Sequence, residues 1–207
     1  TAPESATLQG PTLTNNPRPT YSGLAEPDAD INIYNGTVLL ATVRADAEGN
    51  YSWTPGSDLS DGSYTLRVEA VDVAGNAGNP SQSLNVRIDT TAPLKPVLAG
   101  FGEASTNAPS TSINNISQQI LQGTSEAGSQ LQIYQDGALI GVVNADSTGK
   151  WNLDLRYQRN LDGTLVLDAN SAPIENPFAL GTYQFTAIAT DLAGNVSPWS
   201  TTLTLSI

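Results

Sequence analysis

Six acidic side chains define the chemistry open to this sequence: Glu26, Asp28, Asp72, Asp89, Glu126 and Asp191. Each lies in or beside a turn-rich stretch, among them Glu26-Pro27-Asp28, Asp72-Val73-Ala74-Gly75-Asn76 and Asp191-Leu192-Ala193-Gly194-Asn195. Carboxylates gathered in loops repel one another unless protons or a cation neutralise them. Calcium suits such a gathering, because it takes about six to eight hard oxygen ligands with tolerant geometry. The chain has no His, no Cys and no Met. Imidazole catalysis, thiol chemistry and the usual zinc ligand sets are therefore closed to it. Ser and Thr are plentiful, yet without His no ordinary nucleophile–base pair forms. The turn carboxylates offer no matched acid and base for glycoside cleavage. The expectation is a protein that is not an enzyme.

The elements that must position these residues read as β-strands. In Tyr64-Thr65-Leu66-Arg67-Val68-Glu69-Ala70 the apolar residues alternate with polar ones, as a half-buried strand requires. Tyr183-Gln184-Phe185-Thr186-Ala187-Ile188-Ala189 has the same phase, and no stretch carries a helical period. Strands are expected near 6–9, 19–24, 30–35, 38–44, 50–54, 63–72 and 82–88, punctuated by Asn35-Gly36, Glu48-Gly49 and Asp61-Gly62.

That set of strands occurs twice. Gly123, Glu126, Ile133-Tyr134, Asp146 and Gly149 repeat Gly23, Glu26, Ile33-Tyr34, Asp46 and Gly49, while Tyr183, Asp191 and Gly194-Asn195 repeat Tyr64, Asp72 and Gly75-Asn76. A repeat of this length is a domain rather than a solenoid unit. The fold class expected is all-β: two tandem immunoglobulin-like β-sandwich domains of about seven antiparallel strands each, at 1–89 and 90–207. The second copy carries about 10 extra residues before Gly123 and about 19 more between Trp151 and Tyr183. Such insertions either decorate one end of a sandwich or form a specialised contact surface.

In a seven-stranded sandwich the second-to-third, fourth-to-fifth and sixth-to-seventh connections share the end at which the chain enters. The loops bearing Glu26 and Asp28, Asp46, and Asp72 gather there in the first copy, and those bearing Glu126, Asp146 and Asp191 in the second. The connector adds Asp89, so Asp89, Glu126 and Asp191 form a candidate calcium site at the joint, with Glu26, Asp28 and Asp72 as its incomplete equivalent in the first copy. The alternative for Asp72 and Asp191 is a local one, acceptance of hydrogen bonds from the Ala-Gly-Asn backbone that follows. Asp61 reads as a tight Asp-Gly turn. Trp53 and Trp151 read as core, and Trp199 as the tryptophan most open to a ligand.

The net charge of −12 argues against nucleic acid and anionic membrane surfaces. No apolar run approaches the ~18 residues of a membrane span. The start at Thr1-Ala2-Pro3, with neither Met nor a signal-peptide pattern, points to a piece of a longer chain.

Several motifs together resemble the bacterial immunoglobulin-like repeats of large secreted surface adhesins and biofilm-associated proteins. They are Gly23-x-Ala25-Glu26-x-x-Ala29-x-Ile31, Asp46-x-x-Gly49-x-Tyr51-x-Trp53, Leu59-x-Asp61-Gly62-x-Tyr64, Asp72-x-Ala74-Gly75-Asn76 and the joint Asp89-Thr90-Thr91-Ala92-Pro93. The second copy keeps Gly123-x-x-Glu126, Asp146-x-x-Gly149-x-Trp151, Leu161-Asp162-Gly163, Gly181-x-Tyr183 and Asp191-x-Ala193-Gly194-Asn195. The resemblance implies a structural extender, or stalk, on the bacterial cell surface that supports adhesion or biofilm formation. Its partners would be neighbouring repeats of the same chain, with any host glycan or receptor contacted through another region, and the segment itself a monomer. The other reading is a carbohydrate- or receptor-binding module of an extracellular protein.

Overall fold

The computed structural model describes residues 1–102, 119–160 and 164–207, and among them there is no helix. The chain divides into two units, Thr1–Thr91 and Ala92–Ile207.

The first unit contains β1 (Leu13–Thr14), β2 (Tyr21–Leu24), β3 (Asp30–Asn35), β4 (Val38–Arg44), β5 (Asn50–Trp53), β6 (Gly62–Val71) and β7 (Leu84–Ile88). One sheet runs β1-β7-β6-β3-β4 and the other pairs β2 with β5. Alternation along β6 turns Leu66, Val68 and Ala70 inward, where each is fully buried. They meet Ile31 and Ile33 of β3 through the antiparallel register Ile31↔Ala70 and Ile33↔Val68. Tyr21, Tyr51 and Trp53 close the core from the smaller sheet, with Tyr21 stacked on Trp53 at 5.9 Å. On the outer face Arg67 lies 4.3 Å from the Tyr34 ring and 3.6 Å from Glu69.

The start of this unit differs from the strand expected near 6–9. Thr7 and Gln9 bond to β2, Thr7 N–H donating to the Leu24 carbonyl and Gln9 exchanging bonds with Ser22. The chain then leaves that sheet and joins the other as β1, which runs parallel to β7 in the register Leu13↔Arg87 and Thr14↔Ile88. Gly10-Pro11 makes the crossing possible. A Cβ on Gly10 would stand 2.3 Å from the Tyr21 ring, and Pro11 has no N–H to leave unpaired.

The second unit repeats the plan with β8 (Val97–Gly102), β9 (Ile120–Thr124), β10 (Gln130–Gln135), β11 (Ala138–Asn144), β12 (Lys150–Asp154), β13 (Thr182–Thr190) and β14 (Leu203–Ser206). Its sheets run β11-β10-β13-β14 and β12-β9-β8. Phe185 packs at 5.1 Å from Phe101, amid buried Leu121, Leu131, Ile133, Trp151 and Leu205.

The longer insertion folds between β12 and β13. Three short stretches each bridge to the other two, through Tyr157↔Glu175, Arg159↔Leu165 and Leu167↔Pro173. Asp154 anchors this knot, accepting from Arg156 Nε at 2.9 Å and Nη2 at 2.7 Å. At its close Asn176 N–H donates to the Arg156 carbonyl at 2.8 Å. The Leu161-Asp162-Gly163 motif, and most of the insertion before Gly123, lie outside the described residues. Gly181, not Gly163, opens β13 as Gly62 opens β6: Gly62 pairs with Ile88, and Gly181 bonds reciprocally with Ile207.

Candidate functional site: the acidic loops

The loops after β2, β4 and β6 share one end of the first unit. Ala25 N–H donates to the Gly49 carbonyl at 2.9 Å and Asp28 N–H to the Asp46 carbonyl at 3.3 Å. The pairing Asp30↔Val71 brings the start of the β6–β7 loop beside them.

Asp46 and Asp72 here, and Asp146 and Asp191 in the second unit, each build their own turn. Asp46 accepts from Glu48 N–H at 3.1 Å and Asn50 N–H at 2.7 Å, and Asp72 from Ala74 N–H at 2.9 Å and Asn76 N–H at 2.8 Å. Asp146 takes Thr148 N–H at 2.7 Å and Lys150 N–H at 3.0 Å, and Asp191 takes Ala193 N–H at 2.9 Å and Asn195 N–H at 2.8 Å. The second oxygen of Asp72 and of Asp191 accepts from the amide of Asn76 or Asn195, at 2.7 and 2.8 Å. The Asx-turn geometry is thus present at both residues.

The fourth residue of each turn sits in the left-handed region: Gly49 at φ 84°, Gly75 at 85°, Gly149 at 80° and Gly194 at 96°. Asp168 makes a fifth such turn, bonding Asn170 and Ala172 N–H, with Ser171 at φ 62° in the glycine position. Sequence reasoning missed it because Ser replaces the glycine; the signal was Asp168 itself, with its two-residue spacing to Asn170.

These donors stabilise the ionised acids. The Asn50 backbone N–H above all holds Asp46 below the usual carboxylate range, the Asn76 amide and backbone do so for Asp72, and the Thr148 hydroxyl and Lys150 N–H for Asp146.

Among the described residues no group of three or more acidic side chains is close enough to hold a metal ion. Glu26, Asp28 and Asp72 of the first unit are not brought together. Asp28, at φ 59°, lies 3.7 Å from Arg44, which also reaches Asp30 at 3.6 Å. Glu26 lines an open groove of about 410 Å³ with Glu4, Ser5 and Thr7. Asp89, in the first unit, accepts from Arg87 at 3.0 Å and from Thr91 N–H at 3.3 Å. In the second unit the Glu126 carbonyl accepts from the Ser129 N–H and hydroxyl, at 3.1 and 2.7 Å.

Asp61 does more than turn the chain. Its carboxylate accepts from Thr90 N–H at 2.9 Å, from the Thr90 hydroxyl at 2.7 Å and from the Thr91 hydroxyl at 2.7 Å. The Thr90 and Thr91 hydroxyls, then the Thr90 N–H, hold this acid too below its ordinary range. Trp53 and Trp151 are buried, whereas Trp199 is 51% exposed and packs edge-on at 5.1 Å from Tyr134.

Paired sheets with Ile, Leu, Val and aromatic residues between them, and loops closed by Asp turns, define an all-β protein of the immunoglobulin-like class. Residues 2–90, nearly all of the first unit, match the family described as bacterial Ig-like domain. Among solved structures the chain is similar to the fibronectin(III)-like modules of Clostridium thermocellum CbhA, with 15% identity over 97% of this chain and 94% of that one, at a TM-score of 0.48. It is similar to a tetra-tandem repeat in the extending region of a large adhesion protein, with 20% identity, 98% of this chain, 49% of that one and a TM-score of 0.35. A third likeness is to the BSP domain of a biofilm-associated protein, with 16% identity, 97% of this chain, 29% of that one and a TM-score of 0.34. No curated protein matches the chain.

Proposed function

We propose that this chain is a load-bearing extender segment of a bacterial cell-surface adhesin, working outside the cell, linked in series to neighbouring repeats and performing no catalysis. The pairing of β1 with β7 carries this reading. The two strands lie near opposite termini of the unit yet run parallel, so tension applied at the two ends loads their hydrogen bonds in shear, all at once. An antiparallel terminal pair would open one bond at a time. The bonds in question include Arg87 N–H to Thr12 carbonyl at 2.8 Å and Asp89 N–H to Thr14 carbonyl at 3.0 Å. Stretching the chain between its termini tests the proposal. The expected record shows a discrete unfolding peak for the first unit, and gradual yielding at forces no greater than those that unzip a hairpin overturns it.

The proposal includes calcium as the ion of the acidic loops, with Asp89 of the first unit, and Glu126 and Asp191 of the second, as the carboxylates to test. The donor chemistry suits the ion. Asp89, Glu126 and Asp191 supply hard carboxylate oxygens, the donor type that calcium prefers. Bound calcium supplies charge neutralisation that opposes bending, and extracellular modules bind it at ~10⁻⁴–10⁻³ M. A calcium titration followed by melting temperature, with Asp89→Ala as control, is the test. A shift lost in the variant supports the site, and no shift in either protein removes calcium from the function.

One observation favours a binding module as the second reading. In the second unit Tyr157, Gln158, Arg159, Val166 and Asn176 of the insertion line a groove of about 330 Å³ with Gln135, Leu139 and Ile140. Amide and guanidinium groups over an apolar floor suit a saccharide. Glycan-array binding lost on Tyr157→Ala would favour this reading, and an array without signal would set it aside.

A further inference from the structure

The end of β7 is fastened to a neighbouring loop in a way that the extender reading does not require. The β5–β6 loop delivers Asp61 immediately before Gly62, whose φ of 150° starts β6. Because Gly62 pairs with Ile88, the last residue of β7, Asp61 stands beside the chain as it leaves the sheet. There it meets Thr90 and Thr91, and the three hydrogen bonds already described use both oxygens of a single carboxylate. Arg87 lends its positive charge to Asp61 while bonding Asp89 at 3.0 Å. Asp89 in turn accepts Thr91 N–H. Together with the Asp89 N–H bond to the Thr14 carbonyl, these contacts hold 89–91 to the body of the first unit, which ends at Thr91.

We propose that Asp61 is a metal-independent latch that fixes the first residues of the connector, Thr90 and Thr91, onto the first unit. The proposal deepens the extender reading and rests on it for its purpose: tension arriving through the connector enters the unit by the β5–β6 loop and β6 as well as by β7. Ordering Thr90 and Thr91 costs backbone entropy, which a charged acceptor with three donors can offset. Protein hydrogen bonds alone make the latch, two from hydroxyls and one from a backbone N–H, so it closes in the presence of a chelator.

The second unit provides an internal contrast. There Leu180 precedes Gly181 as Asp61 precedes Gly62, and Leu180 is 87% exposed with no carboxylate to offer.

The test uses the full 207-residue chain, ¹⁵N-labelled, in EDTA, and reads amide hydrogen exchange and backbone order parameters at Thr90 and Thr91. In Asp61→Ala the Thr90 amide is expected to exchange at least ~10-fold faster and its order parameter to fall below ~0.6, with Val68 and Val86 unchanged as reporters of the folded unit. Thr91→Val, at an exposed position, removes one of the three bonds and should give a smaller change in the same direction. If Val68 loses protection in Asp61→Ala, the double variant Thr90→Val and Thr91→Val decides by the same readout. Unchanged exchange at Thr90 in the folded Asp61→Ala protein, or in the double variant where that decides, overturns the latch. Because chelator is present throughout, that failure is distinct from failure of the calcium titration or of the stretching experiment.

Discussion

Two tyrosines of the first unit make opposite predictions from the same chemistry. The Tyr21 ring is fully buried and stacked on Trp53, and its hydroxyl finds no hydrogen-bond partner among the described residues. The Tyr51 hydroxyl, also buried, donates to the Thr7 carbonyl. Tyr21→Phe removes a buried unpaired hydroxyl, whose desolvation costs ~1–3 kcal/mol, while leaving the ring, its stack and the Gly10 crossing in place. The first unit should gain ~1 kcal/mol, a rise in Tm of ~4–8 °C for a domain of this size. Tyr51→Phe strips Thr7 of its partner at a crowded place, where a Cβ on Gly23 would lie 2.0 Å from the same carbonyl oxygen. That variant should lose ~1–2 kcal/mol. Leu121, which stands in β9 where Tyr21 stands in β2, shows that a core of this type closes without a hydroxyl there. Scanning calorimetry, with the transition of the second unit as internal reference, measures both. A loss of more than ~0.5 kcal/mol in Tyr21→Phe refutes the reasoning, since the hydroxyl would then have a favourable role. The pH dependence has a definite sign. Burial pushes both phenols up to about 12, so their contribution is intact below the ordinary value of 10.0 and is lost as pH rises toward 12. Each Phe variant should therefore flatten that alkaline decline.

Three further outcomes follow from the packing and the turns. Gly49→Ala places a Cβ 2.4 Å from the Ala25 carbonyl oxygen at φ +84°, and should destabilise the first unit by more than ~1 kcal/mol in urea titration. Leu66→Ala should cost ~2–5 kcal/mol and Phe185→Ala ~3–5 kcal/mol, each lowering the calorimetric transition of its own unit; a shift of both transitions by either variant would refute independent cores. Asp46, Asp72 and Asp146 have lowered folded-state pKa values, so the stability they add is present above the ordinary carboxylate value of 3.8 and is lost as pH falls through the folded value. Asp146→Asn should shift the acid midpoint measured by circular dichroism, and an unchanged midpoint would remove that residue from the acid response.

Alternation is a local property, and where it was strong it located the strands well. The expected 30–35 and 38–44 are Asp30–Asn35 and Val38–Arg44 in the structure. The switch of sheets at Gly10-Pro11 was not legible, because the two-residue β1 is too short to show a period and its partner β7 lies far along the chain. Asp46, Asp72, Asp146 and Asp191 were recognisable as acidic corners, yet composition alone does not say whether a carboxylate faces a cation or its own backbone. The two-residue and four-residue spacings to the N–H donors build the local turns, and they are visible only once the turn is drawn. Asp61 lay further from view. Its partners Thr90 and Thr91 are 29 and 30 residues away, and only the pairing of Gly62 with Ile88 brings them near.

The three-way knot between β12 and β13 has a consequence for how such chains diversify. Its entry and exit meet at the bond between Asn176 N–H and the Arg156 carbonyl, and each described stretch pairs with both of the others. The host sandwich therefore experiences the segment as a closed loop with a fixed, narrow footprint, whatever its interior holds. The position behaves as a cassette: foreign sequences whose ends can be brought equally close should be exchangeable there while β12 and β13 keep their register, which makes it a natural point for grafting new surfaces onto an otherwise repetitive array.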